Sequence, residues 1–304
     1  MSTFLDRWMG TLVALATLTF HVPISAQVND AAPDRTDPLY QTKGDNSRSY
    51  FFIEAGETSP YRVYVPASWS SDKYSPLVVI LHGGSGTQDS PFKGDRTGVL
   101  KAEADKHGFI LLAPYGYLGA WGSDLILPPA PEGAAPPGPR PARAGEAPVP
   151  EDRMRPRDTD RSPQAMRKRQ LAEKDVMNVL RRTMAEYHVD PKRVYLMGNS
   201  GGAIGTMFLA QRFPGLWAAI APSNAPVDSA TYPFERLIGL KGAYVIHGQL
   251  DNLTREDLMR RQADRIRAQG IDTRYVDVPG ATHQSAFYDV LPEIFRFFAS
   301  KRLD

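Results

Sequence analysis

The sequence predicts one α/β domain with a mostly parallel central sheet and helices on both faces of the sheet. Three observations lead to this fold class. The chain has 304 residues, of which 42% are hydrophobic and 23% charged, as in an ordinary globular domain. Short apolar segments alternate with amphipathic helical patterns from about residue 61 to the C-terminus. Several apolar segments are continuous runs, which are typical of strands buried on both faces.

Seven segments are predicted to be strands and five to be helices. The strands are predicted at residues 61–65, 77–81, 109–113, 194–197, 216–221, 243–246 and 275–278. The helices are predicted at residues 97–106, 171–187, 201–212, 255–269 and 285–299. His107 and Gly108 close the first helix, and the second carries an apolar stripe at helical spacing. Strands and helices that alternate in this way form parallel βαβ units.

Residues 1–26 are predicted to be a signal peptide, and residues 27–304 the mature domain. The apolar run over residues 8–20 has 13 residues, which is too short to span a bilayer, and Ala26 offers a small residue for cleavage. Asp6 and Ile24 fit this pattern less well, so an uncleaved anchor and a misassigned start codon are the alternatives. The signal peptide predicts a secreted or periplasmic protein without stable membrane insertion after cleavage.

Residues 128–169 are predicted to form a mobile insertion. Nine prolines fall within residues 128–150, and residues 140–169 hold nine Lys or Arg against five Asp or Glu. Such a stretch cannot bury enough apolar surface to offset the entropy lost on ordering. Two interpretations remain: a solvated insertion without a role, or a flap beside the functional site that selects substrates or docks on an acidic surface.

The composition excludes several classes of site. The chain has no cysteine, so disulfides, thiolate metal sites and a cysteine nucleophile are excluded. A formal net charge of +2 gives no tendency toward nucleic acid, and the basic insertion lacks interleaved aromatic residues. The histidines do not have the spacing of a zinc site. No metal and no nucleic-acid partner are therefore predicted, and the sequence does not indicate an oligomeric state.

Residues 194–202 combine an apolar strand, a Gly-x-Ser-x-Gly turn and the start of a helix. This is the pattern of a nucleophile elbow, in which a sharp turn holds the serine in a strained backbone conformation. Gly198 and Gly202 leave room for neighbouring backbone. Ser200 is then presented at a helix N-terminus, whose dipole favours developing negative charge. An ordinary glycine-rich turn is the alternative if no partner residues exist.

A serine hydroxyl needs a base to take its proton, and His283 is predicted to be that base. It lies on the loop between the last strand and the last helix, and such loops at the carboxyl ends of parallel strands gather catalytic groups. The other five histidines have simpler explanations: His21 lies in the signal peptide, His107 ends a helix, His188 precedes a turn, and His82 and His247 end strands and brace loops.

Asp251 is predicted to orient this base. It follows the strand at 243–246 by a short loop, and an acceptor on the second ring nitrogen fixes the tautomer of a catalytic histidine. Two other carboxylates are less suitable, since Asp257 falls inside a predicted helix and Asp277 inside a strand. The resulting chain order, Ser–Asp–His, is that of the α/β-hydrolases.

The strand at 77–81 runs into His-Gly-Gly-Ser-Gly at residues 82–86, which predicts donors for an oxyanion. We assign these donors to the main-chain N–H groups of Gly84, or alternatively Ser85, and of Gly201. A phosphate-binding loop is the competing interpretation, but the turn lacks the P-loop lysine and the dinucleotide-binding glycine spacing.

Four blocks together resemble the α/β-hydrolase serine esterases: Leu-His-Gly-Gly at 81–84, Gly-Asn-Ser-Gly-Gly at 198–202, His-Gly-x-x-Asp at 247–251 and Gly-Ala-Thr-His at 280–283. The chain is most similar to the secreted branch that contains feruloyl esterases, acetylxylan esterases and polyhydroxybutyrate depolymerases. The similarity covers residues 61–298 and includes segments 190–195 and 213–219. It implies the α/β-hydrolase fold, a triad without cofactor, and an ester substrate. The absent cysteines and the Pro/Arg-rich insertion depart from the family.

Together, the triad and the resemblance predict hydrolysis of a small-molecule or polymeric ester through an acyl-enzyme on Ser200, with an aryl, acetyl, short-acyl or polyester substrate. Trp121 follows a strand end and is predicted to bind substrate as a wall of the pocket, with a packing role as the alternative. Two other functions are retained: a serine peptidase of the same fold, and a binding module that has lost activity.

Overall fold

The computed structural model describes residues 34–119, 121 and 162–304. Within them, eight strands form one sheet and eight α-helices flank it. The strands are β1 Gly44–Phe52, β2 Glu57–Val65, β3 Ser75–Leu81, β4 Ile110–Pro114, β5 Val189–Asn199, β6 Ala219–Ser223, β7 Gly242–Gly248 and β8 Thr273–Val278. The helices are α1 Ser90–Gly94, α2 Val99–His107, α3 Gly116–Gly119, α4 Pro163–Tyr187, α5 Gly201–Arg212, α6 Glu256–Arg267, α7 Ser285–Asp289 and α8 Leu291–Ala299.

The sheet has the order β1-β2-β4-β3-β5-β6-β7-β8. β1 and β2 are antiparallel, β2 pairs antiparallel with β4, and every pairing from β4 through β3 to β8 is parallel. Parallel strands end at the same edge of the sheet, so the loops after β3, β5, β6, β7 and β8 all lie at one edge. The predicted mostly parallel α/β sheet is confirmed.

The two faces of the sheet bury two separate apolar clusters. Along β5, Val194 and Leu196 point into the cluster that includes α4, α5 and α6 side chains, whereas Tyr195 and Met197 point into the cluster with α2 and α8. Successive side chains of a strand point to opposite faces, so a strand covered on both sides must be apolar at every position. This accounts for the continuous apolar runs at β3 and β5.

Strand β1 was not predicted, because its buried face is partly polar. Its exposure alternates along the strand, and Asn46 and Arg48 are buried together with two aromatic residues. The Arg48 guanidinium lies 2.6 Å from Glu186 of α4. A polar residue at a buried strand position hides the period-two alternation that sequence patterns depend on.

Two predicted elements have other boundaries in the structure. The strand predicted at 216–221 is β6, Ala219–Ser223, because the Trp217 side chain instead donates to Leu209 at the end of α5. The single helix predicted at 285–299 is two helices, α7 and α8, with Val290 between them at φ −110° and ψ 11°. Pro292 cannot donate to a continuing helix, but it fits the first turn of a new one.

The end of the predicted insertion was also wrong. Helix α4 begins at Pro163, so residues 163–169 are helical rather than part of a mobile loop. Ser162 caps this helix by accepting a hydrogen bond from the Ala165 N–H, and a proline follows at the first position. The predicted signal peptide and the remainder of the insertion lie outside the described residues and stay predictions.

Candidate active site

Ser200 occupies a sharp turn between β5 and α5. Its backbone has φ 58° and ψ −124°, a strained conformation for a residue other than glycine, and its N–H donates to the Ser223 carbonyl at 2.8 Å. Gly201 is the first residue of α5, so its N–H has no partner within the helix and lies next to the serine, whereas the Ala203 and Ile204 N–H groups donate to the Ser200 carbonyl at 2.8 and 3.3 Å. The predicted elbow geometry is therefore present at Ser200.

The glycines of the elbow allow close backbone contact with β3. A Cβ atom on Gly202 would lie 2.1 Å from the Leu81 carbonyl oxygen, and one on Gly198 would lie 2.5 Å from the Gly202 oxygen. Both obstacles are main-chain atoms, which cannot rotate away. Because these two glycines have no side chain, the elbow packs directly against the backbone of β3, and this packing sets the position of Ser200.

We expect Gly202→Ala to destabilise the protein by about 3 kcal/mol or more, since overpacking against backbone is at the costly end of such substitutions. Urea unfolding followed by circular dichroism measures this loss. Gly83→Ala is the matched control, because its Cβ would meet only ordinary contacts at 3.4 Å or beyond. Equal losses in the two variants would contradict the steric explanation.

His283 and Asp251 form a buried hydrogen-bonded pair. His283 Nδ1 lies 2.7 Å from Asp251 Oδ2, and their side chains are 8% and 0% exposed. Asp251 Oδ1 accepts from the N–H groups of Leu253 and Thr254 at 2.8 and 3.2 Å. Since a carboxylate only accepts, Nδ1 carries the shared proton and leaves Nε2 able to take another. The structure thus brings together the predicted base and acid.

The loop that carries His283 is attached to the elbow. Asn199, immediately before Ser200, donates from Nδ2 to the His283 carbonyl at 3.1 Å. We call residues 249–255, which carry Asp251, the acid loop, and residues 279–284, which carry His283, the histidine loop. A Cβ on Gly248, directly before the acid loop, would lie 2.7 Å from the Thr282 carbonyl, so the two loops are also in close contact. Among the described residues, no hydrogen bond joins Ser200 Oγ to His283 Nε2.

The predicted oxyanion loop lies against the elbow. A Cβ on Gly83 would be 3.4 Å from the Asn199 carbonyl and 3.5 Å from Ser200 Cβ, and Gly84 follows it on the exposed side. His82 braces this loop, as predicted: its ring nitrogens lie 2.7 Å from the Gly83 oxygen and 2.9 Å from the Tyr115 oxygen. The main-chain donors assigned at Gly84 and Gly201 therefore belong to two different segments next to Ser200, the loop at residues 82–86 and the first turn of α5.

Asp175 on α4 supports the oxyanion loop at residues 82–86 indirectly, and sequence reasoning did not find it. It is fully buried on α4 and accepts from Tyr50, Ser59 and the Gly116 N–H at 2.8 to 2.9 Å. Burial raises the pKa of Asp175, against the effect of these donors. Gly116 follows Tyr115, whose carbonyl meets His82, so the carboxylate anchors the backbone that holds the oxyanion loop.

Trp121 is 3% exposed, and its Nε1 donates to the His82 carbonyl at 3.1 Å. Its ring centre is 5.0 Å from that of His82, and the indole also fills the space beside Gly116 and Gly205. These are the contacts of a packing residue. They favour the alternative interpretation of Trp121, and its role as a pocket wall stays a prediction.

The remaining candidates lie where the sequence placed them. His247 ends β7 and braces the following loop, with Nδ1 2.8 Å from Asp277 and Nε2 3.2 Å from the Thr254 oxygen. His188 is exposed at the end of α4. Asp257 lies in the first turn of α6 and pairs with arginines at the surface. None of them contacts Ser200 by a hydrogen bond in the part of the chain that the structure describes.

A cavity of about 850 Å³ opens beside His283. Its lining residues come from α1, α2, the acid loop, the histidine loop and α7. They include Lys93, Val99, Leu250, Thr282 and Tyr288. Leu250, next to Asp251, is 61% exposed. Across the described ranges, no helix is long and apolar enough to cross a membrane, and no group of three acidic or histidine side chains could hold a metal ion.

Sequence reasoning missed two buried asparagines, Asn199 and Asn224. The first lies inside the elbow motif, and the second follows the last residue of β6 at the edge where the site forms. A polar residue directly after an apolar strand was the available signal for Asn224. The strand was predicted to end at residue 221, so Asn224 did not directly follow the predicted strand.

No protein family and no curated protein matches the chain by sequence. Solved structures do match it. A thermostable esterase has a TM-score of 0.59 at 22% identity, and the match covers 85% of this chain and 63% of that chain. A ferulic acid esterase from Anaeromyces mucronatus has a TM-score of 0.54 at 17% identity, over 86% of this chain and 94% of the other. The poly(3-hydroxybutyrate) depolymerase from Bordetella parapertussis has a TM-score of 0.52 at 18% identity, over 86% and 93%.

This chain spans less than two thirds of the length of the thermostable esterase. Structural matches at identities of 17 to 22% establish the architecture of the chain. The chain therefore has the α/β-hydrolase fold.

Proposed function

We propose that this protein is a serine carboxylic-ester hydrolase that acts through an acyl-enzyme on Ser200. The observation that carries the proposal is the buried His283–Asp251 pair, attached through Asn199 to a strained serine at a helix N-terminus. A base whose tautomer is fixed, a strained serine and main-chain donors are the components that acyl transfer requires.

In the proposed reaction, Ser200 Oγ attacks the ester carbonyl carbon while His283 Nε2 takes the hydroxyl proton. The oxygen that becomes negative is stabilised by the N–H groups of Gly84 and Gly201. The bond to the alcohol then breaks, and the alcohol leaves with the proton from His283. A water molecule next gives its proton to His283 and attacks the acyl-enzyme, which releases the acid and restores Ser200. Asp251 stabilises the imidazolium at both stages.

In this proposal the aryl, acetyl or short acyl group of the ester, or the end of a polyester chain, occupies the cavity beside His283. Val99, Leu250 and Tyr288 offer it apolar contact. The matching structures are named as esterases or as a poly(3-hydroxybutyrate) depolymerase. These names favour an ester as the substrate of this chain. Export through a signal peptide at residues 1–26 is part of the proposal and has support from the sequence alone.

Hydrolysis of p-nitrophenyl esters of increasing acyl length, beside a matched p-nitroanilide, tests the proposal. We expect the esters to be cleaved and the anilide to resist. Each methylene that enters the apolar cavity should raise kcat/KM by up to roughly fourfold, from about 0.8 kcal/mol per buried CH₂. Comparable cleavage of the anilide would indicate a peptidase instead. A folded protein that cleaves neither substrate would contradict any hydrolase function of this kind.

A further inference from the structure

Asn224 touches all three segments that carry the triad. It follows β6, is fully buried and has φ 56°. Its Nδ2 donates to the His283 carbonyl at 2.9 Å and to Asn199 Oδ1 at 3.2 Å. Its Oδ1 accepts from the Gly248 N–H at 2.8 Å. One amide therefore joins the residue before the nucleophile, the base itself and the start of the acid loop.

The main chain at Ser223 and Asn224 adds two further contacts. Its carbonyl accepts from Thr254 Oγ1 at 2.8 Å, and the Thr254 N–H in turn donates to Asp251 Oδ1. The preceding residue, Ser223, accepts from the Ser200 N–H. Asn224 thus hydrogen-bonds near both ends of the acid loop, at Gly248 and at Thr254. None of these contacts involves the reacting atoms.

We infer that Asn224 is a positioning residue that holds His283 and Asp251 in register with Ser200, and this inference rests on the proposed function. The side chain must donate toward His283 and accept from Gly248 at the same time, which an amide does and a carboxylate or an apolar group does not. The His283 carbonyl receives two donors, Asn199 Nδ2 and Asn224 Nδ2, so both of its lone pairs are satisfied. The two hydrogen bonds fix the main chain from which the imidazole projects, and the Asp251 carboxylate holds the ring itself.

Loss of the Asn224 amide is expected to slow catalysis because it displaces the catalytic groups. Loss of the amide frees the histidine loop and the acid loop to move relative to the elbow, and a displacement of about 1 Å can cost about 10²-fold in rate. Apart from the His283 carbonyl, the hydrogen-bond partners of Asn224 do not line the cavity, so substrate binding should change little. A residue that served only folding would lower stability and leave the kcat of the folded protein unchanged.

The test compares Asn224→Gly with Asn46→Gly. Glycine accepts the left-handed backbone at position 224 without strain. Asn46 is a matched control on β1: it is 7% exposed, and its Nδ2 donates to two main-chain carbonyls, those of Thr42 and Gly44. With p-nitrophenyl acetate and rates normalised to folded protein, we expect kcat to fall about 100-fold in Asn224→Gly with KM within about threefold, and to be unchanged in Asn46→Gly.

Asn224→Ser is the second variant, used if the glycine variant does not fold, and its single hydroxyl should give an intermediate kcat. A folded variant at position 224 whose kcat stays within threefold of the wild type would overturn the inference, and so would an equal fall in Asn46→Gly.

A readout that needs no substrate separates this inference from the proposed function. The proton between His283 Nδ1 and Asp251 Oδ2 can be followed by ¹H NMR. We expect its resonance to shift or broaden in Asn224→Gly and to stay unchanged in Asn46→Gly. If the wild type cleaves no ester, the proposed function fails, and this resonance alone decides the positioning role. An unchanged resonance in Asn224→Gly would refute it.

Discussion

Replacing Ser200 by alanine is expected to lower kcat for ester hydrolysis by on the order of 10⁵–10⁶-fold, with KM nearly unchanged. The substitution removes the only atom that forms a bond to the substrate in the proposed reaction, while the oxyanion donors and the pocket stay in place. The backbone at this position has φ 58°, which alanine tolerates as poorly as serine, so the fold should be preserved. Initial rates with p-nitrophenyl acetate measure the loss.

Labelling with a fluorophosphonate gives an independent measurement of the same residue. Mass spectrometry should find one adduct, on Ser200, and none in Ser200→Ala. Ser75→Ala is a suitable control, because Ser75 is a buried serine at the amino end of β3, away from the loops that carry the triad. Labelling that persisted in Ser200→Ala would assign the nucleophile to another residue.

The positions of the three candidate triad residues could be predicted from the sequence because each residue lies in a short block that follows an apolar strand. Ser200 follows β5, Asp251 follows β7 and His283 follows β8. A parallel sheet brings such blocks to one edge whatever the details of packing. The pairing of His283 with Asp251, rather than with Asp277, also follows from strand order, since Asp277 lies within β8 and faces His247.

The supporting residues could not be predicted in the same way. Asn224 meets partners 25 and 59 residues away along the chain, and Asp175 meets partners up to 125 residues away. A polar residue with distant partners has no local signature, because its environment exists only after the sheet and helices have assembled. The same reason hid β1, whose buried Arg48 is compensated by Glu186 on α4.

Asp251→Asn is expected to lower kcat by about 10⁴-fold, because the wrong histidine tautomer would be stabilised. Asp251 Oδ1 accepts from two main-chain N–H groups, those of Leu253 and Thr254, so the side-chain oxygen of asparagine is held at that position. Its NH₂ group must then face His283 Nδ1, which lies 2.7 Å from Oδ2 in the wild type. An amide donor there forces Nδ1 to accept and places the proton on Nε2, where it blocks the transfer from Ser200.

The second histidine–carboxylate pair of this fold provides a matched control. His247 and Asp277 are 2.8 Å apart on adjacent strands, so Asp277→Asn makes the same chemical change in a pair that the proposed reaction does not use. We expect kcat to fall far less in Asp277→Asn than in Asp251→Asn, with both variants folded by circular dichroism. The reverse order of effects would move the base from His283 to His247. The two pairs have the same chemistry and similar spacing. They differ in their position relative to the elbow and at Nε2, which in His247 lies 3.2 Å from the Thr254 carbonyl, and the two variants measure the consequence of these differences.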